Sequence, residues 1–295
     1  MRILVIKLGA LGDFVLAFGP FAAIRAQHPQ AEITLLTTAP FAGLARQSPW
    51  FDRVLVDARP AWWDLRGLRQ LRRALQGYDF VYDLQTSGRS GRYFRLAGRP
   101  NWSGIARGAS HPHANRGRNR MHTVERQRDQ LVAAGITSFP APDLCWLTAA
   151  GPHVGEPYAV LVPGSAPHRP EKRWPAARFG ALARILQARG LRPAVVGASA
   201  DAPLAAEIAS LCPETLDLTG RTSLLDLGGL LARAALAVGN DTGPMHLAAA
   251  VRCRSIVLFA AASDPALTAP RGRVTVLREN DLADLAVERV AACAL

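Results

Sequence analysis

Twice along this chain an apolar, strand-like run stops at a glycine-bearing polar turn and passes straight into an apolar, helix-like run. The N-terminal case is Ile3-Leu4-Val5-Ile6, then Lys7-Leu8-Gly9-Ala10-Leu11-Gly12-Asp13, then Phe14-Val15-Leu16-Ala17-Phe18. The C-terminal case is Ala234 to Val238, then Gly239-Asn240-Asp241-Thr242-Gly243, then Pro244-Met245-His246-Leu247-Ala248-Ala249. A strand that ends this way leaves a helix N-terminus with several unpaired backbone N–H groups. Those donors and the helix dipole favour an anion, most often a phosphate. In open parallel sheets ligands bind outside the carboxyl ends of the strands, so both turns are candidate sites.

In the C-terminal turn, Asp241 or Thr242 is expected to cap the helix, and Pro244 suits its first turn because proline has no N–H to lose. In the N-terminal turn, Gly9 and Gly12 permit a tight backbone and a close approach by a ligand. Asp13 falls where a helix cap belongs, a role that needs no function, but a carboxylate at a strand end is also a candidate base. The spacing is neither G-x-G-x-x-G nor G-x-x-x-x-G-K-[ST], so neither dinucleotide nor P-loop binding follows from it.

The two segments resemble the signature segments of the heptosyltransferase family, glycosyltransferase family 9. A third matching piece lies between them, Pro163-Gly164-Ser165 followed by Lys172-Arg173-Trp174-Pro175. Order and spacing hold over almost the whole chain. The resemblance implies an α/β protein of GT-B architecture, with two Rossmann-like domains facing a central cleft. It implies acceptor binding mainly in the first domain and nucleotide-sugar binding mainly in the second. The activity implied is that of an inverting glycosyltransferase moving heptose from ADP-heptose to a lipopolysaccharide-core or related glycolipid.

The chemistry of such a transfer gives each segment a task. The leaving group is a nucleoside diphosphate, so negative charge growing on a phosphate must be stabilised. The backbone N–H groups of Thr242 and Gly243 can do that without metal, and Lys172 offers a mobile cation. Lys172 can equally be a solvated surface residue, yet the chain has only one other lysine, Lys7. The resemblance makes Lys172 a phosphate contact and Ser165 a hydroxyl facing phosphate. The acceptor hydroxyl must lose its proton as it attacks, and a carboxylate in reach is the simplest general base. Asp13 matches the family's base position, with Gly12 beside it on the acceptor side. Asp241 is the competing acid, better placed for donor contact along with Pro244. His246 is equally compatible with a donor contact and with a structural role. Asp201, beyond Val195-Val196-Gly197-Ala198, stands where an acid often receives ribose hydroxyls, although the family often has glutamate there. No D-x-D-like pair stands near the phosphate turn, so neither metal nor cofactor is expected.

The rest of the chain alternates strands and helices, which argues for parallel sheets. Expected strands are Arg2–Lys7, Glu32–Thr37, Arg53–Val56, Phe80–Leu84 and Trp102–Ala106, then Tyr158–Val162, Arg192–Val196, Thr215–Leu218, Ala234–Val238 and Ser255–Phe259. Leu65, Leu68, Leu71 and Leu75 recur at helical spacing, and Thr123–Ala134 reads as a further helix. The stretch Ala109–Arg120 reads as a mobile loop, and Asp281 to Ala292 as a shortened last helix. Phe139-Pro140-Ala141-Pro142 and Gly151-Pro152, with Gly155 and Pro157 beyond, form the best linker, giving domains 1–150 and 151–295.

Charge is uneven. Residues 1–150 hold twenty Lys/Arg against ten Asp/Glu, whereas residues 151–295 hold fifteen against thirteen. Arg89 to Arg128 contains ten arginines and one acid, Glu125. An arginine-biased genome accounts for many arginines but not for their lopsided placement. A basic first half suits an anionic glycolipid or an acidic membrane surface, and Arg116, Arg118 and Arg120 are the expected acceptor contacts. Nucleic acid ranks last, because no nucleic-acid motif accompanies the charge. Four scattered cysteines without a C-x-x-C pair suggest neither a zinc site nor a disulfide framework. No apolar run approaches the roughly 18–20 residues that span a bilayer, and the first residues form a strand and turn rather than a signal peptide, so the expected place is the cytoplasm, while the glycolipid acceptors that the resemblance implies would bring it peripherally to the inner membrane. Two alternatives remain at this level. One is a non-catalytic polyanion- or glycolipid-binding protein on a decayed transferase fold; the other is an NAD enzyme, which the missing G-x-G-x-x-G disfavours.

Overall fold

Near-continuous apolar runs such as Ile3-Leu4-Val5-Ile6 and Tyr158-Ala159-Val160-Leu161-Val162 are what a strand needs when helices cover both faces of its sheet. The computed structural model, which describes every residue except Glu156, Pro167 and Leu295, puts both runs at the centre of parallel sheets. The first sheet contains β1 (Arg2–Ile6), β2 (Glu32–Thr37), β3 (Arg53–Val56), β4 (Phe80–Asp83), β5 (Trp102–Gly104) and β6 (His111–Pro112), in the order β3-β2-β1-β4-β5-β6. The second contains β7 (Tyr158–Val162), β8 (Arg192–Val195), β9 (Leu216–Asp217), β10 (Leu236–Asn240), β11 (Ser255–Phe259) and β12 (Val274–Arg278). Its order, read from β9, is β9-β8-β7-β10-β11-β12, the same doubly wound pattern repeated. In such a sheet the strand order reverses between the first and fourth strands, and the crevice beyond their carboxyl ends takes ligands. Those switch points lie between β1 and β4 and between β7 and β10.

Each sheet has its own core. Leu4, Ile6, Leu36, Tyr93, Phe94 and Trp102 cluster in the first, and Leu161, Trp174, Phe179, Val238, Leu258 and Val290 in the second. The chain divides accordingly into two compact units, Met1–Asp143 and Leu144–Leu295. The division falls before the Gly151-Pro152 linker for a physical reason. The Arg233 guanidinium donates to the carbonyls of Thr148, Ala150, Gly151 and Pro152 at 3.0–3.2 Å. The Ala150 carbonyl also sits where a Cβ on Gly229 would be, so glycine is required for that approach. Residues 144–152 are thereby held on the second unit.

Four elements differ from expectation. β10 runs two residues further, to Asn240, because the buried amide of Asn240 finds partners there. β6 and β12 are not among the expected strands and are set by pairing, β12 lying at a sheet edge with only Leu277 buried. The last helix is broken into a 3-10 turn, Leu282–Asp284, capped by Asp281, and a helix, Val287–Ala294, whose Val290, Ala291 and Ala294 enter the second core. The four cysteines are free thiols.

Candidate active site

At the first switch point the chain places charged groups on buried backbone. Lys7 follows β1 and is buried. Its Nζ donates to the Leu84 carbonyl at 3.1 Å, while Leu8 N donates to Gln85 Oε1 at 2.8 Å, so β1 and β4 are laced beyond their ends. Asp83 closes β4 with no solvent exposure, and its Oδ1 accepts from Gln85 N and Thr86 N at 3.1 and 3.0 Å. Burial pushes the Asp83 carboxyl up to about 6, against the pull of those donors and of Lys7. Burial also lowers the Lys7 ammonium, and Arg126 adds to this, while the Asp13 and Asp83 carboxylates oppose it.

Asp13 is the third residue of a short helix, Leu11–Val15, and Gly12 is the second. The cap position belongs to Ala10, and no side chain caps this end, so Asp13 is not the cap that its position in sequence suggested. Its part-buried carboxylate is left to act on its surroundings, and Lys7 is among them.

The arginine-rich stretch is more structured than a loop. β6 is followed by a 3-10 turn, Arg118–Arg120. His113 Nε2 and Asn115 Nδ2 both meet Asp129 Oδ2, at 2.7 and 2.9 Å, and hold the carboxyl of Asp129 below its usual value. Arg118 turns inward, with Nε donating to His113 Nδ1 at 3.3 Å. Burial lowers its pKa, as does Arg126, while Asp83 opposes the shift. Arg116 and Arg120 point to solvent. Of the three arginines expected at the acceptor, the structure thus ties one to the Asp83 and Arg126 charges and leaves two on the surface. Sequence reading missed Lys7, Asp83 and Arg126; the scarcity of lysine was the one available signal.

The second switch point is built from two loops stapled by one amide. Asn240 Nδ2 donates to Pro163 O at 2.8 Å and its Oδ1 accepts from Trp174 N at 3.0 Å. That ties the Pro163-Gly164-Ser165 and Lys172-Arg173-Trp174 segments to the end of β10. Lys172 Nζ meets Asp241 Oδ2 at 2.6 Å, with both side chains largely buried. Asp241 is therefore not the helix cap; of the two expected candidates Thr242 takes that position. The helix Gly243–Ala250 starts from an extended Thr242 without a side-chain cap. Pro244 lies in its first turn, and His246 is buried one turn in.

Ser165 Oγ accepts from Arg173 Nε at 3.0 Å and donates to Arg169 O at 2.9 Å. Asp201 caps the 3-10 turn Ser199–Asp201 through Ala198 N at 2.9 Å, and its carboxylate lies against Gly164, where a Cβ would come within 2.7 Å of it. Sequence-predicted Ser165, Lys172, Asp201, Asp241, Thr242 and Gly243 are thus gathered at this one strand end. Asn240, which gathers them, was read as turn polarity. An uncapped helix N-terminus and a nearby ammonium are the kind of groups that favour an anion.

Two doubly wound parallel sheets in one chain, each with its own core, are the architecture of the GT-B class. The comparisons with known proteins agree. Residues 68–288 match glycosyltransferase family 9 (heptosyltransferase), and the chain belongs to that family. The chain is 29% identical over 307 residues to lipopolysaccharide heptosyltransferase 1 of Pseudomonas aeruginosa, covering 95% of this chain and 84% of that protein. Lipooligosaccharide heptosyltransferase 2 of Haemophilus influenzae is 36% identical over 128 residues, 41% of this chain and 36% of the relative. The solved E. coli heptosyltransferase WaaC with ADP superposes with a TM-score of 0.84 at 25% identity, covering 99% of this chain and 98% of that one. The chain is accordingly an enzyme, a glycosyltransferase. Among the described residues no helix is long and apolar enough to cross a membrane.

Proposed function

We propose that this enzyme transfers heptose from ADP-heptose to an anionic, lipopolysaccharide-core type glycolipid with inversion at the sugar carbon. The observation that carries the reading is Lys172 held by Asp241 at the uncapped start of the Gly243–Ala250 helix. A diphosphate laid there takes the N–H groups of Thr242 and Gly243 and the Lys172 ammonium, with Ser165 in reach of phosphate and Asp201 and His246 on the nucleoside and sugar sides. Pro244, lacking an N–H, leaves those first donors without a competitor. The relatives support the donor: a related enzyme is solved with ADP, and a related enzyme is named a lipopolysaccharide heptosyltransferase.

In this reading the first unit holds the acceptor by Gly12, Arg118 and the more exposed Arg116 and Arg120. Asp13 removes the proton of the attacking hydroxyl. The hydroxyl oxygen bonds to the sugar carbon, the bond from that carbon to the phosphate oxygen breaks, and ADP leaves with the electron pair. A single displacement inverts the carbon. The leaving charge falls on helix dipoles and an ammonium, which act without reorganising during the reaction. An acceptor of this kind places the enzyme at the cytoplasmic face of the inner membrane, as a peripheral protein.

The test is incubation of the purified protein with ADP-heptose and a delipidated inner-core saccharide, followed by mass spectrometry of the saccharide and assay of ADP. A heptose-sized mass increment with equimolar ADP is expected. Tight ADP-heptose binding with no turnover would return the chain to the non-catalytic, glycolipid-binding alternative.

A further inference from the structure

A second charged surface of the first unit uses none of the residues assigned to transfer. A groove of about 700 Å³ is lined by Arg92 and Arg95 from the helix Gly88–Leu96, by Arg99 just after it, and by Arg107 after β5. No aspartate or glutamate lines this groove. Among the described residues none of the four guanidinium groups forms an ion pair with a carboxylate. Four like charges on one concave face repel one another unless an external anion answers them.

The groove has an apolar rim. Arg92 and Arg89 lie over the Trp62 ring, at 4.5 and 5.5 Å from its centre. Beyond Trp62 the chain holds Trp63 86% exposed and Leu65 63% exposed, and Ile105 in the groove wall is 38% exposed. A bare tryptophan and leucine beside unanswered arginines need a partner that is dense in phosphate and apolar just below it. The interface of an anionic phospholipid bilayer is both, since indole rings settle at headgroup depth and basic residues are drawn to the surface potential.

We propose that this face docks the enzyme on an anionic phospholipid bilayer, with Trp63 and Leu65 entering the interface and Arg92, Arg95, Arg99 and Arg107 taking lipid phosphates. Nucleic acid also offers phosphate, and a bare indole stacks a base, but exposed aliphatic Leu65 and Ile105 gain nothing from one and are matched by acyl chains. The proposal shares with the transferase reading only the need for a membrane, and its test does not depend on turnover.

The full chain is sedimented with vesicles of phosphatidylcholine alone and of phosphatidylcholine doped with phosphatidylglycerol. Binding is expected only to the doped vesicles and should weaken with salt. Arg95→Gln and Arg99→Gln should each lower partitioning roughly fivefold. Trp63→Ser with Leu65→Ser should lower it roughly tenfold or more and abolish the quenching of tryptophan fluorescence by brominated lipid. Unchanged thermal unfolding and ADP binding show that these variants are folded, and transfer to the soluble saccharide should be unchanged by Trp63→Ser. Failure of that transfer in the unsubstituted enzyme counts against the transferase reading alone. Absence of binding to doped vesicles, indifference of binding to both sets of substitutions, or equal binding to neutral vesicles overturns the docking proposal. Tighter binding of a single-stranded oligonucleotide, lost with the same arginines, overturns it in favour of nucleic acid.

Discussion

Lys7 and Lys172, the only lysines of the chain, stand at the two switch points in opposite settings. Lys7 is buried against a carbonyl, its ammonium disfavoured by burial and only partly supported by the carboxylates of Asp13 and Asp83. Lys172 sits in a close pair with Asp241 and keeps some exposure. The sheets that carry them have the same strand order. Topology thus fixes where a site lies, while the side chains at the strand ends decide what it does. The first switch point is a dry cluster of opposed charges suited to tuning a base. The second is a prepaired cation beside free N–H donors, suited to receiving a diphosphate.

The largest test of that contrast is Asp13→Asn. It should lower kcat by about 10²–10⁴, the range of a lost general base, and leave ADP affinity nearly unchanged. Equal losses in turnover and in ADP affinity would mean that the two ends do not divide the work. Next is Lys172→Met, expected to cost about 10²–10³ in kcat, as for removal of one donor at a developing charge, and to weaken ADP binding measured by calorimetry. Asp241→Asn frees the ammonium and should be milder on both readouts.

A third experiment probes the dry cluster itself. The Asp83 carboxyl has a folded-state value of about 6, above the ordinary unfolded value near 4. The native state therefore binds that proton more tightly. The stabilisation is complete below about pH 4 and is lost as pH rises through about 6. Between pH 4 and 7 the enzyme should lose, relative to Asp83→Asn, on the order of 3 kcal/mol, read from denaturant midpoints of both proteins at the two pH values. Parallel pH profiles would place the charge elsewhere.

Smaller effects separate the arginines. Arg118→Gln should raise the acceptor KM about tenfold at low and high salt alike, because that guanidinium is turned inward. Arg116→Gln and Arg120→Gln, at exposed positions, should change KM about twofold and only at low salt. Smallest of all should be the response to EDTA, which is expected to leave the rate unchanged because N–H donors and Lys172 supply the positive field. Loss of activity restored by Mg²⁺ would show that the second switch point needs a cation it does not carry.

What could be read from the sequence was what is local. Strand runs, the Asp241-Thr242-Gly243 turn and the Lys172 segment follow from neighbouring residues, and the structure puts them at one strand end. The cap assignments of Asp13 and Asp241 failed because they weigh a residue against its own turn only. Asp241 is taken by Lys172, 69 positions away, before it can serve the helix. The same reason hid Lys7, whose partner carbonyl is 77 residues distant, and Asn240, whose partners are 66 and 77 residues away. Arg118 was visible as one arginine among ten, and its partial burial, the His113 contact and the nearby Asp83 and Arg126 charges distinguish it from its exposed neighbours.

Asn240 has a consequence for how the second site tolerates change. Its amide must be a donor on one side and an acceptor on the other, towards Pro163 O and Trp174 N. Aspartate has the same outline but would turn an oxygen lone pair towards the Pro163 carbonyl, and no rotation of the side chain would satisfy both neighbours. Leucine would keep the volume and satisfy neither. Deamidation, which exchanges the amide nitrogen for oxygen, would therefore convert the staple into a wedge while leaving Lys172, Asp241 and the helix start unaltered. The Ser165–Arg173 contact would then be left to hold the two loops together without the end of β10.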